Sequence, residues 1–149
     1  MRRNSITIKA SILIHKSREI VWDYTQNYDH RTIWDSAVLE ATVLQDTPNR
    51  IVKLKTRGKT TMTFIYKLDD RPNKTTLVAK DIISPLIVSA GGSWNYAEQN
   101  GGTLWSQTNT ITFKSNFLLN FLVPVYKRIF IFQTKKSMKK VKREIENPG

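Results

Sequence analysis

A helix-patterned segment runs from about Asn116 to Glu146, after roughly a hundred residues whose pattern is mostly that of strands. This order constrains the fold more than any other feature of the chain. A sheet built from residues 38 to 113 exposes an apolar face, and only the terminal segment is long enough to cover that face from end to end. At ~1.5 Å per residue, about twenty-two helical residues span ~33 Å, which matches a strand of about ten residues at ~3.4 Å each. Helix and sheet are therefore matched in length.

A chain of 149 residues with no Pro/Gly/Ser-rich linker is expected to form a single domain over residues 1–149. It has no cysteine and only two histidines, His15 and His30, which excludes disulfides, thiolate metal ligands, cysteine nucleophiles and a histidine-rich metal centre. No metal and no cofactor are expected. The basic start Met1-Arg2-Arg3-Asn4 leads into a run that alternates around Lys9 instead of forming an unbroken apolar signal, so a cytoplasmic location is expected. The net charge is +12, much of it carried by Lys135, Lys136, Lys139, Lys140, Lys142 and Arg143. Such a field attracts phosphates or anionic headgroups, although a lysine-rich face also serves simply to solvate a helix.

Ile6, Ile8, Ala10, Ile12 and Ile14 recur at every second position, the period of a half-buried strand. Ser17 is placed to cap a helix with Glu19 in its first turn and Ile20, Val21 and Tyr24 on one face, and Asp29 to Trp34 can add another turn. Turn signals at Asp46–Asn49, Arg57–Lys59, Asp69–Asn73 and Asn100–Gly102 then separate strand-like runs. These predict strands at Val38–Leu44, Arg50–Thr56, Thr60–Leu68, Lys74–Ile83, Ser93–Gln99 and Thr103–Phe113, an antiparallel meander that joins the first strand. Ser84 to Gly92, with Pro85 and the Gly91-Gly92 pair, is expected to form a less regular lip.

Phe117 to Phe132 is apolar on nearly every side, yet it is shorter than the ~20 residues a bilayer requires and is interrupted by Asn120, Pro124, Lys127 and Arg128. A membrane span is not expected. Because proline suits a first helical turn, the main helix is expected from about Pro124, with Ser115 to Val123 as its approach. Beyond Phe132 the pattern is amphipathic, with Thr134, Met138, Val141 and Ile145 opposite the lysines.

The order strand, two short helices, six-stranded meander and long final helix resembles the START-like (SRPBCC) superfamily, in particular its polyketide cyclase/dehydrase-type branch. The resemblance is carried by Ile6-Thr7-Ile8-Lys9-Ala10, Lys16 through Tyr24, Trp34, Gly102-Thr103 and the closing helix, and it covers nearly the whole chain. It implies an α+β helix-grip fold, a curved seven-stranded antiparallel sheet wrapped around the C-terminal helix. It also implies a cavity between sheet and helix that takes lipids, isoprenoids, polyketides or similar apolar molecules. Members of the superfamily include aromatases, cyclases, binders of coenzyme Q or plant hormones, and a branch described as ribosome-associated toxins. These features concern packing and turns, so they carry no single reaction across.

In the last strand Trp105, Gln107, Asn109, Ile111 and Phe113 share one face, taken as inward. A buried amide needs a hydrogen-bond partner, so Gln107 and Asn109 are candidate handles for a ligand carbonyl or hydroxyl, or else bond to their neighbours. Met62, Phe64, Tyr66 and Leu68 form a second apolar face, and Trp94 and Tyr96 alternate beside the lip. Trp22 and Trp34 wall the cavity's far end or anchor the core, while Phe121, Tyr126, Phe130 and Phe132 are candidates for its roof. Asp81 is expected to face inward with Leu77, Ala79 and Ile83, whereas Glu98 is expected to be solvated and His15 and His30 to lie at the surface or in caps. No nucleophile–base pair, phosphate-cradling loop or metal-ligand spacing is present.

The expected ligand-binding set is thus Trp34, Tyr66, Asp81, Trp94, Trp105, Gln107, Asn109, Tyr126 and Phe130, with no catalytic residue assigned. The leading expectation is a carrier or sensor of a hydrophobic small molecule. One alternative is an interaction protein whose Lys135, Lys136, Lys139 and Lys140 contact ribosomal RNA or an anionic membrane. Another is a cyclase or dehydratase in which Tyr66, Asp81 or Gln107 polarises a carbonyl.

Overall fold

A computed structural model describes residues 4–148 of the chain. Strand β1 (Ser5–Ile14) is followed by helices α1 (Arg18–Gln26) and α2 (Arg31–Trp34). The meander is β2 (Val38–Gln45), β3 (Ile51–Thr56), β4 (Thr60–Asp70), β5 (Lys74–Ile83), β6 (Ile87–Gln99) and β7 (Gly102–Phe113), and α3 (Phe117–Glu146) closes the chain. The strands form one antiparallel seven-stranded sheet in the order β1-β7-β6-β5-β4-β3-β2. Sequence-adjacent strands pair as hairpins, and the single long crossover, from β1 to β2, is where α1 and α2 lie. This is the α+β helix-grip arrangement.

The two-residue period of β1 puts Ile6, Ile8, Ala10 and Ile14 under the helical layer and leaves Thr7, Lys9 and Ser11 outside. Ser17 caps α1 by accepting from the Ile20 amide, and α1 directs Val21 and Trp22 into the core. The main core collects Ile14, Val21, Trp22, Trp34, Tyr96 and Trp105 beneath Met138, Val141 and Ile145 of α3. A smaller cluster at the opposite end joins Ile6, Ile8 and Phe113 to Val123, Tyr126 and Phe130. The far end of α3 is tied to β1 by Lys142, whose ammonium donates to the Leu13 carbonyl and to Glu146, while Glu146 accepts from the His15 amide.

Three local expectations are corrected. The final helix begins at Phe117, not Pro124, because Asn116 caps it there by accepting from the Leu119 amide at 2.8 Å. Pro124 sits inside that helix, and the donor it lacks would have served Asn120; both residues are exposed, so water can satisfy the carbonyl. The lip shrinks to Ser84–Leu86, where the Ser84 hydroxyl accepts from the Leu86 and Ile87 amides. Ile87 to Gly92 is already β6, paired from Ile87 opposite Phe113 to Gly92 opposite Asn109. Asp81, expected to face inward, is exposed and has a left-handed φ of 51°, at an irregularity where pairing jumps from Thr63–Lys80 to Thr61–Ile83. The bulge breaks the inward row after Ala79 and turns Asp81 out to solvent.

Candidate ligand cavity

A cavity of about 430 Å³ lies between the sheet and the helices. Its walls are Met62, Phe64 and Tyr66 of β4, Leu77 of β5, Gly92 and Trp94 of β6, and Gln107, Asn109, Ile111 and Phe113 of β7. Tyr28, Arg31 and Trp34 close one end, and Tyr126, Ile129 and Phe130 of α3 form the roof. Gly92, opposite Asn109 on the concave face of β6, lies where the strand runs close against β7. A Cβ on Gly92 would stand 2.6 Å from the Thr108 carbonyl oxygen, so only glycine fits there without displacing β7.

Below the cavity, a chain of hydrogen bonds runs in one direction through the buried polar groups. Gln26 Oε1 accepts from the Tyr66 hydroxyl at 2.6 Å, so the Tyr28 hydroxyl, 2.6 Å from Tyr66, is the donor of that pair. Gln26 Nε2 donates to the Tyr96 hydroxyl, which lies 2.7 Å from Thr25; Thr25 in turn donates to the Val21 carbonyl. Every hydroxyl in the series has an acceptor, which is the condition for burying it cheaply. Burial, together with the neighbouring Tyr28, raises the Tyr66 pKa far above the ordinary tyrosine value, and burial does the same to Tyr96. Both remain neutral. The Tyr66 ring faces the cavity, but its proton is committed to Gln26.

The polar part of the cavity wall is built differently. Trp94 Nε1 donates to Asn109 Oδ1 at 3.3 Å, and Asn109 Nδ2 donates to Gln107 Oε1 at 2.9 Å, which leaves the Gln107 amide nitrogen as the free donor of that series among the described residues. Arg31 reaches the same region from α2. Its Nε pairs with Asp35 at 2.9 Å, and its guanidinium lies 5.0 Å from the Trp34 ring centre and 5.2 Å from that of Trp94. Burial works against its charge, but Asp35 and the surrounding tyrosines outweigh that penalty and raise its pKa above the ordinary arginine value. Its terminal nitrogens form no hydrogen bond among the described residues. Arg50 has a structural task beside it, donating to the Gln26 carbonyl while stacking on Tyr28 and Tyr66.

Of the residues singled out from the sequence, Trp34, Tyr66, Trp94, Gln107, Asn109, Tyr126 and Phe130 are brought together around this space. Trp105 is fully buried behind the wall, edge-on to Trp34 and Trp94, and supports them instead of lining the cavity. Asp81 is outside, as are Leu68, Phe121 and Phe132, which are exposed. Trp22 packs on Tyr96 in the core. Lys135, Lys136 and Lys139 are exposed on α3, while Lys140 is half-buried. No group of acidic or histidine side chains suited to holding a metal occurs among the described residues.

Residues 5–146 match the family described as polyketide cyclase / dehydrase and lipid transport. The chain belongs to that family. Its fold recurs in solved structures of low sequence identity. The Thermus thermophilus protein TTHA0849 superposes with a TM-score of 0.83 at 12% identity, over 97% of this chain and 99% of that one. The Zhui aromatase/cyclase from Streptomyces sp. R1128 gives 0.76 at 11% identity, over 97% and 98% of the two chains. A START superfamily protein from Mycobacterium smegmatis gives 0.74 at 9%, over 96% and 99%. A comparison with curated protein sequences finds no match.

Arg31, Tyr28 and Gln26 were missed as site residues in the sequence. One signal was available for Arg31: Asp35 follows it by four positions, the spacing of an ion pair on one helical face. Nothing local marks Tyr28 or Gln26, because the partners that define them, Tyr66 and Tyr96, lie some forty to seventy positions away along the chain.

Proposed function

We propose that the cavity binds an elongated hydrophobic small molecule of the lipid, isoprenoid or polyketide kind, and that the protein carries or senses it. The observation that carries this reading is a largely apolar space of about 430 Å³ with a few polar groups in its wall that are unpaired among the described residues, including the terminal nitrogens of the Arg31 guanidinium, the Gln107 amide nitrogen, the Trp34 indole nitrogen and the Thr75 hydroxyl. That size falls in the range of roughly 300–1,000 Å³ usual for small-molecule sites, and the few polar groups suit a ligand with one oxygen-bearing end. Displacement of a fluorescent fatty acid, combined with native mass spectrometry of gently purified protein, tests the reading. A competable ligand is expected, and Ala90→Trp, which fills the space from β6, is expected to abolish its binding. Absence of any retained or competable apolar ligand would overturn it.

A second reading, cyclase-type activity on a polyketide-like chain, draws on the free Gln107 amide, which is able to donate to a carbonyl inside the cavity. The other two candidates lend it little, since the Tyr66 proton is committed and Asp81 is outside. If turnover occurs, Gln107→Leu should lower it at least about tenfold while the ligand still binds. Equal turnover by wild type and variant would remove this reading.

A further inference from the structure

The outer face of the first half of α3 has no covering element among the described residues. Phe117 is 89% exposed, Phe121 75% and Phe132 68%, with Leu118, Val125 and Ile129 also open to solvent. At about 100° per residue, Phe117, Phe121, Val125 and Phe132 fall within roughly 80° of one another, so they form one stripe and not scattered exceptions. A contiguous apolar stripe on a surface helix marks a contact site.

The surrounding charges select its occupant. Between Lys114 and Arg143 the chain contains nine basic residues and no acidic one, counted as Lys114, Lys127, Arg128, Lys135, Lys136, Lys139, Lys140, Lys142 and Arg143. Arg128 lies within the stripe, and the same helical face continues as Lys135, Lys136 and Lys139, which are exposed. A second copy of this chain would bring two such fields together within a molecule already at +12. The stripe also stands on the outward face of a single helix, and highly exposed side chains such as Phe117 and Phe121 suit a fluid apolar phase better than a shaped protein socket. Apolar side chains flanked by lysine and arginine are the composition of a helix that lies in a membrane interface. No helix among the described residues is long and apolar enough to cross a membrane, so the contact is a surface one.

We propose that this face of α3 docks on an anionic lipid bilayer, with Phe117, Phe121 and Phe132 entering the acyl boundary and the basic residues meeting the headgroups. Ile129 belongs both to the exposed face and to the cavity wall, so docking would set the roof of the cavity against the bilayer. The docking does not depend on the cavity being loaded.

Co-sedimentation with extruded vesicles tests this. Wild type is expected to bind vesicles of phosphatidylcholine mixed with phosphatidylglycerol and to leave vesicles of pure phosphatidylcholine largely unbound. The double variant Phe117→Ser/Phe121→Ser should reduce partitioning at least about tenfold, the loss expected from withdrawing two phenylalanines from an apolar phase. The triple variant Lys135→Gln/Lys136→Gln/Lys139→Gln should weaken binding and flatten its salt dependence. All five positions are exposed, and unchanged thermal unfolding confirms that each variant is folded. Three outcomes would overturn the proposal. The first is failure of wild type to bind anionic vesicles, including the case in which it instead binds RNA through the lysines. The second is vesicle binding that the phenylalanine substitutions leave unchanged. The third is a concentration-dependent dimer that those substitutions abolish, which would assign the stripe to a second copy.

Discussion

The two halves of α3 differ in the opposite sense from their composition. Residues 117–132 are the more apolar half, yet only Leu119 and Val123 among them are buried. Residues 133–146 carry most of the lysines, yet they bury Ser137, Met138, Val141 and Ile145 against β1, Trp22 and Trp105. The reason is what lies beneath each half. Under the second half the sheet and α1 fill the space with aromatic side chains, whereas the first half meets only the smaller cluster of Ile6, Ile8 and Phe113 before the cavity opens beneath Tyr126, Ile129 and Phe130. A helix over a cavity gains less packing per residue, and apolar side chains there face the cavity or remain outside. Apolar density along the sequence therefore does not track depth of burial here.

That contrast is open to test, starting with the largest effect. Met138→Ala, in the packed half, should cost about 2–5 kcal/mol in urea unfolding, as a buried side chain leaves a void. Phe121→Ser, in the first half, should change stability by no more than about 0.5 kcal/mol because its side chain contributes little packing. Equal costs would erase the distinction between the halves.

Tyr66→Phe examines the cavity floor. It strands the Tyr28 hydroxyl and Gln26 Oε1 without their partner, so a loss of about 1–3 kcal/mol is expected although the ring and the cavity shape are kept. A neutral result would mean that the polar series is not what holds α1 to the sheet.

The smallest effect concerns the clamp at the end of the packed half. Burial tends to raise the Glu146 pKa, but the hydrogen bonds from Lys142 and the His15 amide outweigh it, and the net pKa lies below the ordinary glutamate value. A depressed carboxyl pKa contributes stability that is present above the unfolded-state value, about 4.3, and is lost as pH falls through the folded-state value. Glu146→Gln should thus cost roughly 0.2–1 kcal/mol at neutral pH. The difference from wild type should shrink as the pH falls below the ordinary glutamate range and vanish once it has passed through the depressed folded-state value. A difference that persists at low pH would show that the contact does not act through the carboxylate charge.

Much of the fold was legible in the residues themselves. The alternation in β1, the cap at Ser17, the turn residues between hairpins and the length of the closing segment are local signals, and each specified its element because backbone period and capping depend on near neighbours. Local rules misplaced the start of α3 because a proline within a helix is tolerated when the carbonyl it orphans reaches water, and that depends on exposure at Asn120. They misplaced Asp81 because a single bulge reverses the side of every later residue on a strand. The inward face of β7 was readable from its two-residue period, and Gln107 and Asn109 do line the cavity. That Trp105 supports the wall from behind depends on how Trp34 and Trp94 stack upon it.

What the sequence by itself determined was the series of elements, the faces that β1 and β7 bury, and the presence of an apolar helix segment with a strongly basic continuation. Tertiary structure alone decided which of those apolar residues enclose a cavity, where Arg31 points its unpaired nitrogens, and which phenylalanines remain uncovered. The physical reason is that period and propensity act within a few residues. Empty space, a hydrogen-bond series through Tyr28, Tyr66, Gln26 and Tyr96, and an uncovered stripe are instead properties of surfaces that meet only after the chain has folded.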